Sequence, residues 1–400
     1  MLCRCSTDVW RIASAGLFLL IAGCNTLETS TPVQPQEIPF SQELQAALDQ
    51  ALRDGQGEYV LGGSAVVLIP EHKLWTGVSG FSHVGVLITE DMLFDAGSIV
   101  KNMEAALALE YAEDGLLDLD APISTWLPPL NHVNSGITVR QLLNHTSGIY
   151  NVFEHPDFPW VGDDVEYGRY WTLEEVFDQF VLEPYGPPGR TQHYSSTNYL
   201  LLTVILENAT KEPTFEAIAN TQLKPLGLEN SYVSMEGVTP VQYTVAHPWV
   251  DVDGDDVLED LVGTPVTWKA SLTHPVLYAS PEDLAMWMKA LFLERNVLAP
   301  EAMEEMLTIP EVTNSDPAGV RYGLGVGDFS GILGMEAIGH GGSALGYNAA
   351  ALYLPEYETI MVWMINTGES PPELAGDLMW QIWSSLSEVI TENLRKSSGE

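Results

Sequence analysis

Cysteine is nearly absent from this sequence, and the few cysteines present lie at one end. Cys3, Cys5 and Cys24 are the only three, so residues 25–400 contain no thiol. That stretch therefore has no pair of thiols for a disulfide, no cysteine nucleophile and no cysteine-ligated metal site. We expect the fold to depend on its hydrophobic core for stability.

Positive charge is also scarce. The chain has 16 lysines and arginines against 55 acidic residues, a formal net charge of −39. A nucleic-acid backbone requires basic side chains opposite its phosphates, so we expect no nucleic-acid partner. A solvating surface suited to salty surroundings and an attraction for cationic ligands remain as two interpretations of the acidity. The nine histidines show no spacing typical of a zinc hydrolase, and we expect neither a metal nor another cofactor.

The first residues resemble an export signal. Arg4 and Arg11 precede a short apolar run, Ile12 to Ala22, which is too short to span a membrane as a helix. The run ends in Ile21-Ala22-Gly23-Cys24, which is similar to a bacterial lipobox. We therefore expect a lipoprotein signal peptide over 1–23, lipid on Cys24, a tether over 24–40 and an exported protein anchored to a bacterial membrane. An ordinary secretory signal is the alternative.

Strand patterns lie near both ends of the remaining chain. Two apolar runs, Ser64 to Ile69 and Leu74 to Val78, predict a hairpin, and Tyr322 to Phe329, Ala349 to Leu354 and Thr359 to Ile365 predict further strands. Helices are expected at Ser41 to Arg53, with Ser41 as the N-cap, and at Pro371 to Leu394, with mostly helical segments between the two groups of strands. One sheet assembled from both ends predicts an α+β domain over 41–395. Its sheet part comprises about 41–97 and 300–395, and its helical part about 98–299.

Ser98 and Lys101 form a Ser-x-x-Lys pattern where Gly97 precedes a run with helical spacing. Residues i and i+3 of a helix share a face, so the lysine amine can reach the serine hydroxyl. That hydroxyl is a weak nucleophile until a neighbouring base accepts its proton. Backbone N–H groups at a helix N-terminus can also stabilise an oxyanion. The pattern is common by chance, and a solvated helix face is its other interpretation.

Tyr194 and Ser196 form a second candidate group, shortly after Pro187-Pro188-Gly189. A phenol near Ser98 can donate a proton to a leaving group or activate a water molecule. Packing of an aromatic ring at the start of a helix is the alternative interpretation of Tyr194.

A third candidate group is His340-Gly341-Gly342-Ser343. Two glycines allow close approach of backbones, as at an edge strand that lines a cleft. The Ser343 N–H is then a second oxyanion donor beside that of Ser98. An ordinary glycine turn is the alternative.

Taken together, these groups resemble the signature elements of the class C β-lactamase and D-alanyl-D-alanine carboxypeptidase family, the penicillin-binding-protein-like serine hydrolases. Other segments are also similar to that family, and the resemblance covers about 45–390. They are Leu93 to Ser98, Leu117 to Pro122, Leu142 to Gly148 and Tyr194 to Tyr199. The resemblance implies a five-stranded antiparallel sheet flanked by terminal helices, a helical insertion domain, and an active site between them.

The resemblance also implies roles for the candidate residues. Ser98 is the expected nucleophile, and Lys101 and Tyr194 are the expected acid and base. Ser196 stands where the family usually has an asparagine that binds the substrate amide. His340 replaces the lysine of true β-lactamases, which predicts a weaker, pH-dependent attraction for a substrate carboxylate.

Two further features of the sequence indicate function less strongly. Asp251, Asp253, Asp255 and Asp256 suggest a calcium loop, but the glycine lies wrongly for an EF-hand and no glutamate closes the loop. Trp160, Tyr170 and Trp171 can contact a substrate, although packing in the core is the alternative.

The function that we expect is hydrolysis through an acyl-enzyme on Ser98, by an esterase or D-amino-acid peptidase. Its substrates are esters, β-lactams or D-amino-acid peptides. A penicillin-binding DD-carboxypeptidase or a β-lactamase is the alternative within this chemistry. A catalytically inactive lipoprotein that binds cell-wall peptides or a protein partner is the alternative of another class.

Overall fold

Five long antiparallel strands form the centre of the fold, and the two ends of the domain contribute them jointly. The computed structural model describes residues 38–56, 60–158, 172–235, 242–252, 255, 257–262, 274–316, 319–368, 382–393 and 395. The chain divides into two units, Met1–Gln36 and Glu37–Glu400, and all described residues belong to the second. The expected signal peptide, Cys24 and most of the tether lie outside the described residues. So do Trp160, Tyr170, Trp171, Asp253 and Asp256.

The long strands have the order β13-β14-β15-β1-β2 across the sheet. Their bounds are β1 Gly62–Leu68, β2 Trp75–His83, β13 Ile338–Ala344, β14 Tyr347–Leu354 and β15 Thr359–Ile365. The first and last of them in the chain meet at the centre, where β1 pairs with β15 in the register Gly63↔Ile365 to Leu68↔Ile360. This pairing confirms the prediction of one sheet built from both ends.

The sheet has eight strands among the described residues rather than the expected five. The three additional strands are β3 Val86–Leu87 at one edge and β11 Arg321–Tyr322 and β12 Gly327–Asp328 at the other. Each is two residues long, so it shows no alternation of apolar and polar residues by which a sequence pattern can be recognised. The predicted run Tyr322 to Phe329 is accordingly two short strands joined by a turn.

The central strand β15 is buried on both faces. Ile360, Val362 and Met364 contribute to one hydrophobic core, and the alternate residues Met361, Trp363 and Ile365 contribute to the other. The first core includes side chains of α2, Val100–Glu113, and of α5, Thr197–Thr210. The second includes side chains of α1, Gln42–Gln56, and of the helical residues 382–393. Burial of apolar surface on both faces compensates for the absence of disulfides.

The remaining helices and turns lie mostly between the two groups of strands. The other α-helices in the described ranges are α3 Val139–Leu143, α4 Leu173–Phe180, α6 Thr214–Ile218, α7 Pro281–Met288, α8 Pro300–Leu307 and α9 Ser330–Leu333. Two π-helical turns, Ala219–Leu223 and Lys289–Leu293, extend α6 and α7. Short 3₁₀ turns occur at Gly97–Ile99, Ile123–Thr125, Val152–Glu154 and Pro355–Tyr357.

Two details of the sequence prediction can be compared with these helices. The Ser41 hydroxyl accepts a hydrogen bond from the Leu44 N–H at 3.1 Å, which confirms Ser41 as the N-cap of α1. Helix α7 lies in the range assigned to the helical part, yet it packs on β1, β14 and β15 of the sheet. Within the ranges described above, no helix combines the length and apolar character needed to cross a bilayer.

Short strand pairs complete the fold. A three-stranded sheet has the order β4-β9-β6, with bounds Phe94–Asp95, Val276–Ala279 and Ser231–Ser234. The two further pairs are β5 Thr191–Gln192 with β10 Thr313–Asn314, and β7 Trp249–Val250 with β8 Glu259–Asp260. The strand β4 leads directly to Ser98, so the small sheet supports the first candidate site residue.

Candidate active site

Ser98 lies in a 3₁₀ turn that leads directly into α2. A backbone hydrogen bond connects the residue before this turn to β9, where the Ala96 N–H donates to the Leu277 carbonyl at 2.8 Å. The Asp95 carboxylate accepts a hydrogen bond from the Gly97 N–H at 2.9 Å, and Gly97 has a φ of +52°. A glycine takes this left-handed conformation with little strain. The half-buried Ser98 is thereby fixed at the N-terminal end of the helix.

Lys101 is the immediate partner of Ser98. Its Nζ donates a hydrogen bond to the Ser98 Oγ at 2.7 Å, and the lysine side chain is buried. The structure therefore brings together the two residues that the Ser-x-x-Lys spacing pairs. A buried lysine amine in direct contact with a serine hydroxyl can exchange a proton with it.

Tyr194 is a second residue close to the lysine amine. The Lys101 Nζ is 5.4 Å from the centroid of the Tyr194 ring and 5.8 Å from that of Tyr199, a buried residue of α5. Burial raises the pKa of the Tyr199 phenol well above its ordinary value. Tyr199 donates a hydrogen bond to the Leu143 carbonyl at 3.0 Å, so its hydroxyl is held in the core. The half-buried Tyr194 is the phenol that remains accessible beside Lys101.

His145 packs against Tyr194. It is fully buried, and its ring centroid lies 4.4 Å from that of Tyr194. The His145 Nδ1 accepts from the Ser195 N–H at 3.2 Å and contacts the Asn198 amide nitrogen at 3.0 Å. Burial lowers the pKa of His145 well below its ordinary value, and the nearby Lys101 charge lowers it further. His145 is therefore a neutral ring that positions the turn carrying Tyr194.

His340 is brought to the same cluster, but not as a charged group. It is buried on β13, and desolvation, followed by the charge of Lys101, lowers its pKa to about 3. Its Nδ1 contacts the Gly341 carbonyl, and its Nε2 lies 3.4 Å from the Tyr322 hydroxyl. The expected pH-dependent attraction for a substrate carboxylate is wrong, because the imidazole is neutral at physiological pH. The reason is burial, which a sequence pattern does not reveal.

The glycines of β13 allow this strand to lie against the Ser98 turn. A Cβ on Gly342 would lie 2.0 Å from the Ala96 carbonyl oxygen, and a Cβ on Gly97 would lie 2.7 Å from the Ser343 nitrogen. Only glycine permits such an approach at either position. The Ser343 amide thus lies beside the Ser98 turn, where the sequence analysis places a second oxyanion donor. The Ser343 side chain itself is exposed.

Ser196 begins α5 and is mostly buried beside these residues. Its N–H donates to the Asn151 Oδ1 at 3.2 Å, and the Asn198 Oδ1 accepts from the Ser147 hydroxyl at 2.6 Å. Asn151 and Tyr322 also belong to this cluster, which the sequence does not predict. Neither residue is part of a recognisable pattern, since each comes to the site from a separate loop or short strand.

The described residues include no group of three or more His, Cys, Asp or Glu side chains arranged to hold a metal ion. In the acidic loop, the Asp251 Oδ1 accepts a hydrogen bond from the Asp255 N–H at 3.2 Å. Ser98, Lys101 and Tyr194 provide the cluster with a serine hydroxyl, an amine and a phenol.

Comparisons with known proteins identify the family of this chain. The family model described as Beta-lactamase matches residues 48–381. Penicillin-binding protein 4 of Amycolatopsis lactamdurans is 28% identical over 196 residues, 48% of this chain and 49% of the relative. Esterase EstB of Burkholderia gladioli is 30% identical over 207 residues, 48% of this chain and 52% of the relative. The matched segments thus span about half the length of these curated relatives.

The fold is also similar to solved structures. A D-stereospecific amidohydrolase from Streptomyces sp. superposes with a TM-score of 0.67 at 28% identity, covering 83% of this chain and 97% of that one. The expected fold class, α+β of the β-lactamase and transpeptidase type, is confirmed. The family model covers most of the chain, and the serine, lysine and tyrosine of the resemblance lie together. We conclude that this chain belongs to the β-lactamase family.

Proposed function

We propose that this protein is a serine hydrolase that cleaves esters or D-amino-acid peptides through an acyl-enzyme on Ser98. The observation that carries the proposal is the 2.7 Å hydrogen bond between the Lys101 Nζ and the Ser98 Oγ, next to the accessible Tyr194. An inactive binding protein would not require a buried amine in contact with a half-buried hydroxyl.

In the first step, the Ser98 Oγ attacks the acyl carbon while its proton passes to the Lys101–Tyr194 pair. The carbonyl π-electrons move to oxygen, where the N–H groups of Ser98 and Ser343 stabilise the oxyanion. The same pair then gives a proton to the departing alcohol or amine as the bond between carbon and the leaving group breaks. We assign the proton transfer to Lys101 and Tyr194 jointly, because the Lys101 Nζ contacts the Ser98 Oγ and lies 5.4 Å from the centroid of the Tyr194 ring.

In the second step, a water molecule attacks the acyl-serine. The pair accepts a proton from the water and returns it to the Ser98 Oγ as the bond between that oxygen and the acyl carbon breaks, so the acyl group leaves as a carboxylic acid and the Ser98 hydroxyl is restored. His145 and His340 take no proton in this scheme, because burial keeps both rings neutral.

Two features favour esters over β-lactams as substrates. Ser196 has a shorter side chain than the asparagine usual in the family, so an acyl amide is held less firmly. The neutral His340 provides no charge for the carboxylate that penicillins carry. Esterase EstB and the D-stereospecific amidohydrolase are relatives whose names describe the activities that we propose. A penicillin-binding DD-carboxypeptidase or a β-lactamase is the second candidate, supported by the similarity to penicillin-binding protein 4.

We further propose that the protein is exported and held at a bacterial membrane by lipid on Cys24. The support is the sequence pattern alone: two arginines, a short apolar run, and small residues before the cysteine.

The proposed function is tested by Ser98→Ala, assayed with a chromogenic short-chain ester and a D-amino-acid p-nitroanilide. We expect the rate of both reactions to fall on the order of 10⁴-fold or more, since the nucleophile is removed. Ser124→Ala, at an exposed serine, serves as the matched control. Turnover by Ser98→Ala within tenfold of the parent contradicts the assignment of the nucleophile. A parent that hydrolyses neither substrate but binds cell-wall peptides favours the inactive lipoprotein instead.

A further inference from the structure

A half-exposed carboxylate is held rigidly beside the turn that carries Tyr194. Glu154 ends the 3₁₀ turn Val152–Glu154, and 46% of its side chain is exposed. The Glu154 Oε2 accepts a hydrogen bond from the Tyr185 hydroxyl at 2.6 Å, and its Oε1 accepts from the Asn151 Nδ2 at 3.2 Å. Two donors on separate chain segments therefore fix the carboxylate in one orientation.

The same donors connect Glu154 to the candidate active site. The other end of the Asn151 carboxamide accepts from the Ser196 N–H at 3.2 Å, so a single side chain joins Glu154 to the first turn of α5. His193, the residue before Tyr194, has its Nε2 4.0 Å from the Glu154 Oε1. Its ring lies 3.9 Å from that of Tyr185. Glu154 is thus connected to Ser196 through Asn151 and lies near His193, the neighbour of Tyr194.

The carboxylate also retains capacity to bind a ligand. A carboxylate can accept about four hydrogen bonds, whereas the two described donors use two of these sites. Among the described residues, no lysine or arginine forms an ion pair with Glu154, and His193 is its nearest basic group. The Tyr185 phenol donates to the carboxylate, and the ring of Tyr150 lies 5.5 Å from that of Tyr185. The pKa values of both phenols are raised by burial and by the nearby Glu154, so both remain neutral.

We propose that Glu154 binds the free ammonium group of the substrate, which restricts the preferred substrates to amides, peptides and esters of amino acids with an unblocked amine. The inference rests on the proposed function, because it concerns the acyl side of the same reaction. An ammonium group matches the site chemically, since it supplies hydrogen-bond donors and a positive charge to a fixed carboxylate. The aromatic rings of Tyr150 and Tyr185 add further attraction for a cation.

The experiment compares two substrates that differ only in the group at the α-carbon. D-alanine p-nitroanilide carries an ammonium group, and D-lactic acid p-nitroanilide carries a hydroxyl in its place. We expect the parent to prefer the aminoacyl substrate in kcat/KM. Glu154→Gln preserves the shape of the side chain and one acceptor but removes the charge. It should lower the ratio of kcat/KM for the aminoacyl substrate to that for the lactic acid derivative by about 10- to 100-fold. This range corresponds to the energy of a charge-assisted hydrogen bond.

Two variants separate recognition from a structural role. Glu183→Gln removes a carboxylate two residues from Tyr185 that is 86% exposed, and it should leave the preference unchanged. Glu154→Asp retains the charge and should keep more of the preference than Glu154→Gln. A loss of packing would slow the hydrolysis of both substrates equally and leave the ratio of their kcat/KM values unchanged.

The outcome distinguishes this inference from the proposed function. If the ratio of kcat/KM for the two anilides in Glu154→Gln is within twofold of the parent's ratio, the ammonium site is overturned. This holds even where ester hydrolysis still depends on Ser98. A parent that favours the lactic acid derivative overturns it as well. If the parent hydrolyses neither anilide nor a short-chain ester, the proposed function fails together with this inference.

Discussion

The carbonyl oxygen of Ala96 lies 2.0 Å from the position that a Cβ atom on Gly342 would occupy. This contact joins β13 to the turn before Ser98, and it sets the distance between the two amides that we assign to the oxyanion. A substituent at Gly342 must displace one of the two backbones.

Gly342→Ala should therefore reduce both activity and stability. The forced backbone shift is expected to cost about 1–3 kcal/mol of unfolding free energy. It should also lower ester kcat/KM by about 10²-fold or more, the effect of losing one oxyanion donor. Gly331→Ala is the matched control, because a Cβ there has no atom within 4 Å. Equal activity of the two variants would show that β13 does not set the oxyanion site.

His340 should make the protein less stable in acid. Its pKa is about 3 in the folded state and about 6.5 in an unfolded chain. The unfolded state therefore binds more protons between these values, so stability falls as pH decreases from about 6.5 towards 3. His340 contributes a change in unfolding free energy that approaches about 1.4 kcal/mol per pH unit within this window.

The measurement is urea unfolding of the parent and of His340→Gln between pH 8 and pH 4. The variant can keep hydrogen bonds to Tyr322 and Gly341 but does not titrate. Its stability should decline less steeply below pH 6.5, and the values at pH 8 provide the baseline for each protein. Parallel curves would indicate that His340 titrates normally in the folded state.

Ser196→Asn should restore recognition of an acyl amide. An added neutral hydrogen bond of about 0.5–1.5 kcal/mol corresponds to a gain of about threefold to tenfold in acylation by a labelled penicillin. Turnover of an activated ester, which has no such amide, should change less. Ser196→Ala adds no amide group and should give no gain. Equal changes for penicillin and ester with Ser196→Asn would remove the main support for our preference for esters over β-lactams.

Cys24→Ser should release the protein from the membrane. If lipid on Cys24 anchors the parent, its extraction from cells requires detergent, whereas the variant is exported in soluble form. Fractionation of cells that express each protein measures the difference. A parent that is soluble without detergent would indicate an ordinary secretory signal.

Much of the fold could be predicted from local patterns. The long strands β1, β14 and β15 have continuous apolar runs, and Ser41 marks the start of α1 as a capping residue does. The division of the run Tyr322 to Phe329 into β11 and β12 and the edge strand β3 were not predictable, since a two-residue strand exists only through its partner. Helix α7 lies in the range of the helical part and packs on the sheet, because its apolar face is compatible with either a helical neighbour or the sheet.

The sequence by itself determined the pairing of Ser98 with Lys101, because a spacing of three residues on a helix brings their side chains to the same face. Only the tertiary structure decided how that pair is surrounded. It places Gly342 against Ala96 and Tyr194 against His145, and it buries His340 deeply enough to keep it neutral. Helical periodicity acts within a few residues, whereas contacts and desolvation depend on segments that are distant in the chain.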